Sequence, residues 1–158
     1  MRKKSTNKLS MYVDELQSAI VDKELSSASV SSVNIGWQIQ HSLLVLNAVS
    51  GVLETANPKE FKKKFNLLKF VLFAIRRFPR GKAKSPKSVR PTSELSTEEL
   101  EKLIIVARTN VSNLSSLGSG QFFKHPLFGD LRLKDTIRFL ELHTNHHLKI
   151  IRLIQKSN

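Results

Sequence analysis

An all-α bundle is the fold this sequence predicts, and three observations predict it. Apolar residues recur at helical spacing in four longer windows and one basic window. No run of useful length alternates apolar and polar residues as a half-buried strand would. The stretches between the windows are rich in Ser, Pro and Gly, which favour connections. With 158 residues, 40% hydrophobic and 25% charged, the chain reads as one domain over 1–158 with enough material for a core.

The first window is residues 9–25, where Leu9, Tyr12, Val13, Leu16, Ala19 and Ile20 keep helical spacing. The serine-rich "SSASVSS" then reads as a connection. In "VNIGWQIQHSLLVLNAVSGVLE" the residues Trp37, His41, Leu44, Val45, Ala48 and Val52 share one face, with Asn34 placed to cap the helix. Asn57-Pro58 ends it, because the position before a proline resists the α region. Residues 59–78 predict a further helix with a stripe of Phe61, Phe65, Leu68, Leu72 and Ile75. "PRGKAKSPKSVRP" holds three prolines and a glycine and reads as an extended loop. "STEELEKL" opens a helix over 97–116 with a capping-box pattern, Ser96 or Thr97 as cap and Glu98 and Glu99 in the first turn. "GSGQFFKHPLFGD" is expected to be a loop, and the last helix to run from Leu133 to Ile154.

Composition excludes some chemistry. The chain has no cysteine, so disulfides and thiolate ligands are absent, and any metal must be held by His, Asp, Glu or carbonyl oxygen. The N-terminus is basic but no apolar stretch follows it, and no apolar run is long enough to span a bilayer, so a cytoplasmic location is expected. The net charge is +13, a field that attracts nucleic acid, anionic lipid or acidic partners.

Three of the five histidines lie in "HTNHH", residues 143–147. On a helical wheel His147 falls about 40° from His143, and Thr136, Phe139, Leu140, Ile150, Ile151 and Ile154 lie within about 80° of it. His143 and His147 therefore centre the apolar stripe, with His146 at its flank. An i, i+4 pair can present two imidazoles to one ion, or it can be two hydrogen-bonded core histidines. His41 is the third histidine on an apolar face, between Trp37 and Val45. Three such residues make a His₃ set with a position open, the pattern of a catalytic metal more than of a closed structural one. His125, in the Gly/Pro loop, reads as a turn or pocket-edge residue.

At these residues the chain resembles a known family. "GWQIQHSLLVLN" (36–47), "RGKAKSPKSVRP" (80–91), "HPLFG" (125–129) and "HTNHHLKII" (143–151) look like the DinB superfamily of metal-binding four-helix bundles, and within it a branch of domains of unknown function. The pieces span most of the chain; the HxxxHH ending after an HPxFG turn is the more specific part. The resemblance implies a DinB-like four-helix bundle, with a basic helix and loop at about 59–91 inserted between its second and third helices. It implies a divalent metal on His41, His143 and His147, with Trp37, Gln38 and His146 near the pocket rim. Zinc and nickel are the first candidates, and iron and manganese also accept imidazole. Related enzymes are transferases and isomerases that use small thiol cofactors, so a metal-dependent hydrolase or a thiol-dependent transferase acting on a small molecule is implied. Without cysteine here, the sulfur must come from outside. No general base stands out: Glu141 is on the polar face, and Asp130 and Asp135 are the nearby carboxylates. A homodimer is compatible with such a bundle.

The segment 59–90 carries twelve Lys and Arg residues against the single acid Glu60, a local net of +11. Phe61, Phe65, Phe70, Phe73 and Phe78 interleave with them. One reading is a nucleic-acid or membrane-surface element within a non-catalytic basic bundle. The other is a helix whose phenylalanines pack on the bundle while its lysines stay in water. The resemblance favours the second.

Overall fold

The computed structural model describes residues 2–76, 78 and 86–158, with side chains from residue 6 onward. Five α-helices are present among them: α1 (Arg2–Ser18), α2 (Ile35–Thr55), α3 (Leu67–Ile75), α4 (Thr97–Asn113) and α5 (Leu133–Lys156). Between α4 and α5 lies a two-stranded antiparallel hairpin, β1 (Phe122–His125) and β2 (Gly129–Arg132). The expectation of a purely all-α chain is thus corrected: the fold is mostly helical, with a small sheet where a loop was expected. Each strand has four residues, too short for the period-2 signal to rise above its surroundings.

The four long helices bury a common core. α1 packs on α4 and α5, and α2 packs on the same two helices. Leu9, Leu16, Ile39, Leu46, Ile104 and Ile151 are essentially removed from water there. α1 begins at Arg2, earlier than the apolar pattern suggests, and tightens into a 3₁₀ turn over Ala19–Asp22. The expected caps form. Asn34 Oδ1 accepts from the Trp37 amide at 2.9 Å, and Ser96 and Glu99 make the reciprocal capping box at 3.2 and 2.8 Å. α4 stops at Asn113 and α5 runs one residue-pair beyond Ile154.

α2 departs from its predicted face. Ile35, Ile39, Leu43, Leu46 and Leu53 are fully buried, whereas Ala48 and Val52 face solvent. The core-facing arc lies about 150° round the wheel from His41. His41 is nevertheless only 2% exposed, because a 3₁₀ turn at Lys87–Val89 closes over its side of the helix. A helix covered from two directions has no single stripe to read.

The basic segment departs further. Instead of one helix over 59–78, it forms a 3₁₀ turn at Pro58–Glu60, an irregular stretch, and the nine-residue α3. Phe65, Leu68 and Ile75 of the predicted stripe are exposed, and Phe73 is the residue of α3 that is buried. Polar ties seat the segment: the Lys62 amide donates to Asp130 Oδ2 at 2.8 Å, Asn66 Nδ2 to the Leu127 carbonyl at 2.8 Å, and Arg138 Nη2 to the Phe73 carbonyl at 2.6 Å. Asn66 caps α3 through the Lys69 amide, and Arg76, at φ 52°, ends it in the left-handed region. Of the predicted loop over 79–91, residues 79–85 lie outside those described, as does Arg77.

Candidate metal centre

The site forms where α2 and α5 cross beneath the 3₁₀ turn. His41 comes from the first half of α2, and His143 and His147 from successive turns of α5. Their ring centroids are 5.1 Å (His41–His143), 4.8 Å (His41–His147) and 4.6 Å (His143–His147) apart. One nitrogen from each lies within 4.8 Å of the other two, a span that small ring rotations bring onto one shared ion. Among the described residues, no carboxylate joins the group.

Hydrogen bonds orient two of the rings. His41 Nδ1 is 2.7 Å from the Val89 carbonyl. A carbonyl only accepts, so His41 carries its proton on Nδ1 and its lone pair on Nε2. His147 Nδ1 is 2.6 Å from Gln38 Oε1, and Gln38 Nε2 in turn donates to Ser31 Oγ at 3.1 Å. His147 is therefore the same tautomer. This is the outer-shell arrangement that fixes ring orientation and leaves Nε2 basic in metal-binding histidines. His143 differs: it is half-buried, and its Nδ1 is shut from water with no hydrogen-bond partner among the described residues. An imidazole nitrogen so placed costs about 1–3 kcal/mol, and a cation accepted there would offset the cost.

All three rings are held neutral. Burial lowers the pKa of His41, with Arg90 adding to the effect and the Val89 carbonyl opposing it. Burial pushes His143 well below the ordinary value, and His41, His146 and His125 push it the same way. His147 is lowered likewise by burial and by His143, His41 and His146. At neutral pH no proton has to leave before an ion can bind, and a divalent charge is compatible with the set where a second proton is not. Donor type, tautomer and protonation all fit a divalent metal.

The remaining predicted residues surround this centre. The Trp37 indole stacks on His41, centroids 5.0 Å apart and planes 25° apart. His146 meets His147 edge-on at 5.1 Å and Phe78 at 6.4 Å. Gln38, expected near the rim, is 3% exposed and stands behind His147. His125 lies at the hairpin turn. Its Nδ1 accepts from the Leu127 and Phe128 amides at 3.1 and 3.2 Å, and its ring stacks on Phe128 at 4.2 Å. Gly129, at φ 70°, completes that turn in a conformation other residues adopt at a cost. Phe139 bridges the turn to the centre, 4.7 Å from the His125 ring and 5.6 Å from that of His143.

The Val89 carbonyl and Ser31 had no signal in the sequence. Each acts through one atom in a connection whose position depends on packing. Gln38 had a weak one, since a buried amide one turn from a histidine needs a partner. Replacing Gln38 by Leu keeps the volume and removes the acceptor for His147. We expect a 10- to 100-fold loss of zinc affinity, measured by competition with a chromogenic chelator, with little change in the helical circular-dichroism signal.

The class these observations define is a mostly helical protein with a buried three-histidine cluster between two of its long helices. Comparison with sequence families, with curated proteins and with solved structures finds no match to this chain.

Proposed function

We propose that this chain is a DinB-like four-helix bundle that holds one divalent cation on His41, His143 and His147 and works as a metal-dependent hydrolase or thiol-cofactor-dependent transferase. The observation that carries the reading is the convergence of three neutral imidazoles at one point between α2 and α5, two of them oriented through Nδ1 by the Val89 carbonyl and Gln38. The pairing of one ligand from the second helix with an i, i+4 pair from the last supports the kinship. The α1, α2, α4 and α5 packing supports the bundle, with the segment at about 59–91 as the insertion.

A divalent ion bound there supplies Lewis acidity, which polarises a carbonyl or acidifies a water or thiol. The chain's own residues prepare the place for it. The Val89 carbonyl and Gln38 hold His41 and His147 in the required tautomer, and burial keeps all three rings unprotonated. Trp37 closes one side of His41 and Phe139 one side of His143, so that water reaches the centre from few directions. With three protein ligands, an ion held there would keep a position for a substrate or external thiol. No cysteine in the chain competes for it.

The test is elemental analysis of the purified chain, followed by reconstitution with zinc, nickel, iron and manganese. One ion per chain is expected, lost in His143→Ala and His147→Ala. A chain that takes up no divalent ion, or keeps it in both variants, overturns the reading.

A further inference from the structure

We propose that the α3 segment docks on anionic membrane surfaces, independently of the metal centre. α3 turns its apolar face outward. Leu67, Phe70, Val71 and Ile75 lie on one side of the helix, and they are 63%, 65%, 43% and 55% exposed. The opposite side carries the anchors: Phe73 is buried, and Lys69 Nζ bonds to Asp135 Oδ2 at 3.2 Å. The reading in which the phenylalanines pack on the bundle and the lysines stay in water therefore holds for Phe73 and fails for Phe70. It also fails for Phe65, 85% exposed just ahead of the helix.

Charge decides what covers this face. Lys62, Lys63 and Lys64 immediately precede Phe65 and are all exposed. Lys63 and Lys64 share with Phe65 and Phe70 a groove of about 880 Å³. Arg132 and Arg138 also line it, as do Asp130 and Asp135, which are engaged by the Lys62 amide and by Lys69, so cations outnumber the acids there. A second copy of the chain would bring the same cations against these cations, on molecules that each carry +13. Nucleic acid would satisfy the lysines but has no use for exposed Leu67, Val71 and Ile75. An anionic bilayer satisfies both halves: headgroup phosphates meet the lysines while Phe65 and the outer face of α3 enter the acyl boundary. α3 is far too short to span, and no helix among the described residues is long and apolar enough to do so, so the contact is one of lying on the surface.

The experiment is co-sedimentation of the full chain with vesicles of phosphatidylcholine alone or with about one-third phosphatidylglycerol, at low and high salt. Binding to the anionic vesicles that weakens with salt is expected. Phe65→Ser with Phe70→Ser should lower the partition coefficient by more than about tenfold, and Lys62→Gln, Lys63→Gln and Lys64→Gln together by on the order of a hundredfold. The substituted side chains are exposed, so circular dichroism and an unchanged urea midpoint serve to show that both variants are folded. The proposal is overturned by absence of binding to anionic vesicles at low salt, or by binding that the Phe variant retains in full. It is overturned equally if sedimentation equilibrium shows a dimer that the Phe variant dissolves, with no vesicle binding. Lysine-dependent binding to duplex DNA in place of vesicles would also overturn it.

Discussion

Zinc at about a thousand times its dissociation constant is expected to stabilise the metal-free chain by roughly 4 kcal/mol, which for a domain of this size raises Tm by about 8–16 °C. The size follows from linkage alone: an ion that binds the folded state and not the unfolded one shifts the equilibrium by its binding free energy at that concentration. The effect should vanish in His41→Ala, His143→Ala and His147→Ala, each of which removes one of the three imidazoles. It should persist in His125→Ala, whose ring serves the hairpin turn. That variant is expected to start from a lower Tm, since two backbone amides lose their acceptor. The readout is the difference between zinc-loaded and chelator-treated samples, so a variant that is merely less stable still reports correctly. An undiminished shift in His143→Ala would show that zinc binds elsewhere.

Acidification of the metal-free chain is expected to be the second large effect. His125 is held neutral by burial, its pKa lowered from 6.5 to about 4. Between those values the unfolded chain binds a proton that the folded chain does not, so stability rises with pH. The contribution is fully present above 6.5 and is lost as pH falls toward 4. The loss from His125 alone is on the order of 3 kcal/mol. His41, His143 and His147 are shifted in the same direction, mainly by burial, and steepen the decline. Urea titrations at intervals from pH 7.5 to pH 4 measure it, and His125→Gln should flatten part of the curve. With zinc bound the decline should begin at lower pH and end abruptly, because protons must then displace the ion. Stability that stays level through this window would mean that the rings are not held neutral as their burial requires.

Much of the three-histidine cluster could be read along the chain because it rests on local periodicity. His143 and His147 are separated by one helical turn, and the polar residues of α5 fall opposite them. Any helix through 133–156 puts those two rings on the buried side. Asn34 and Ser96 were legible for the same reason, since a cap is satisfied by amides two or three residues away. His41 was legible as a buried histidine but for an incomplete reason. The arc of α2 that faces the core is centred on Ile39 and Leu46, and His41 is covered from its other side by a turn 48 residues along the chain.

The hairpin was not legible, because four-residue strands carry too little periodicity and Gly129, Pro126 and Gly120 signal a turn without saying what flanks it. Which side of α3 is covered was not legible, because apolar spacing says that residues share a side of a helix and not that anything covers that side.

By itself, then, the sequence determined the helical character, the caps, the neutral-ligand chemistry and the likeness of two histidines on one helix to a metal-binding pair, all properties of residues within a turn or two of each other. The tertiary structure alone decided that His41 reaches them, that the Val89 carbonyl and Gln38 choose which nitrogen is offered, and that Phe65 and Phe70 are left in water. Those are contacts between segments far apart in the chain. Their existence depends on how the helices cross and on which surfaces the hairpin and the 3₁₀ turn happen to cover, quantities that no local pattern encodes.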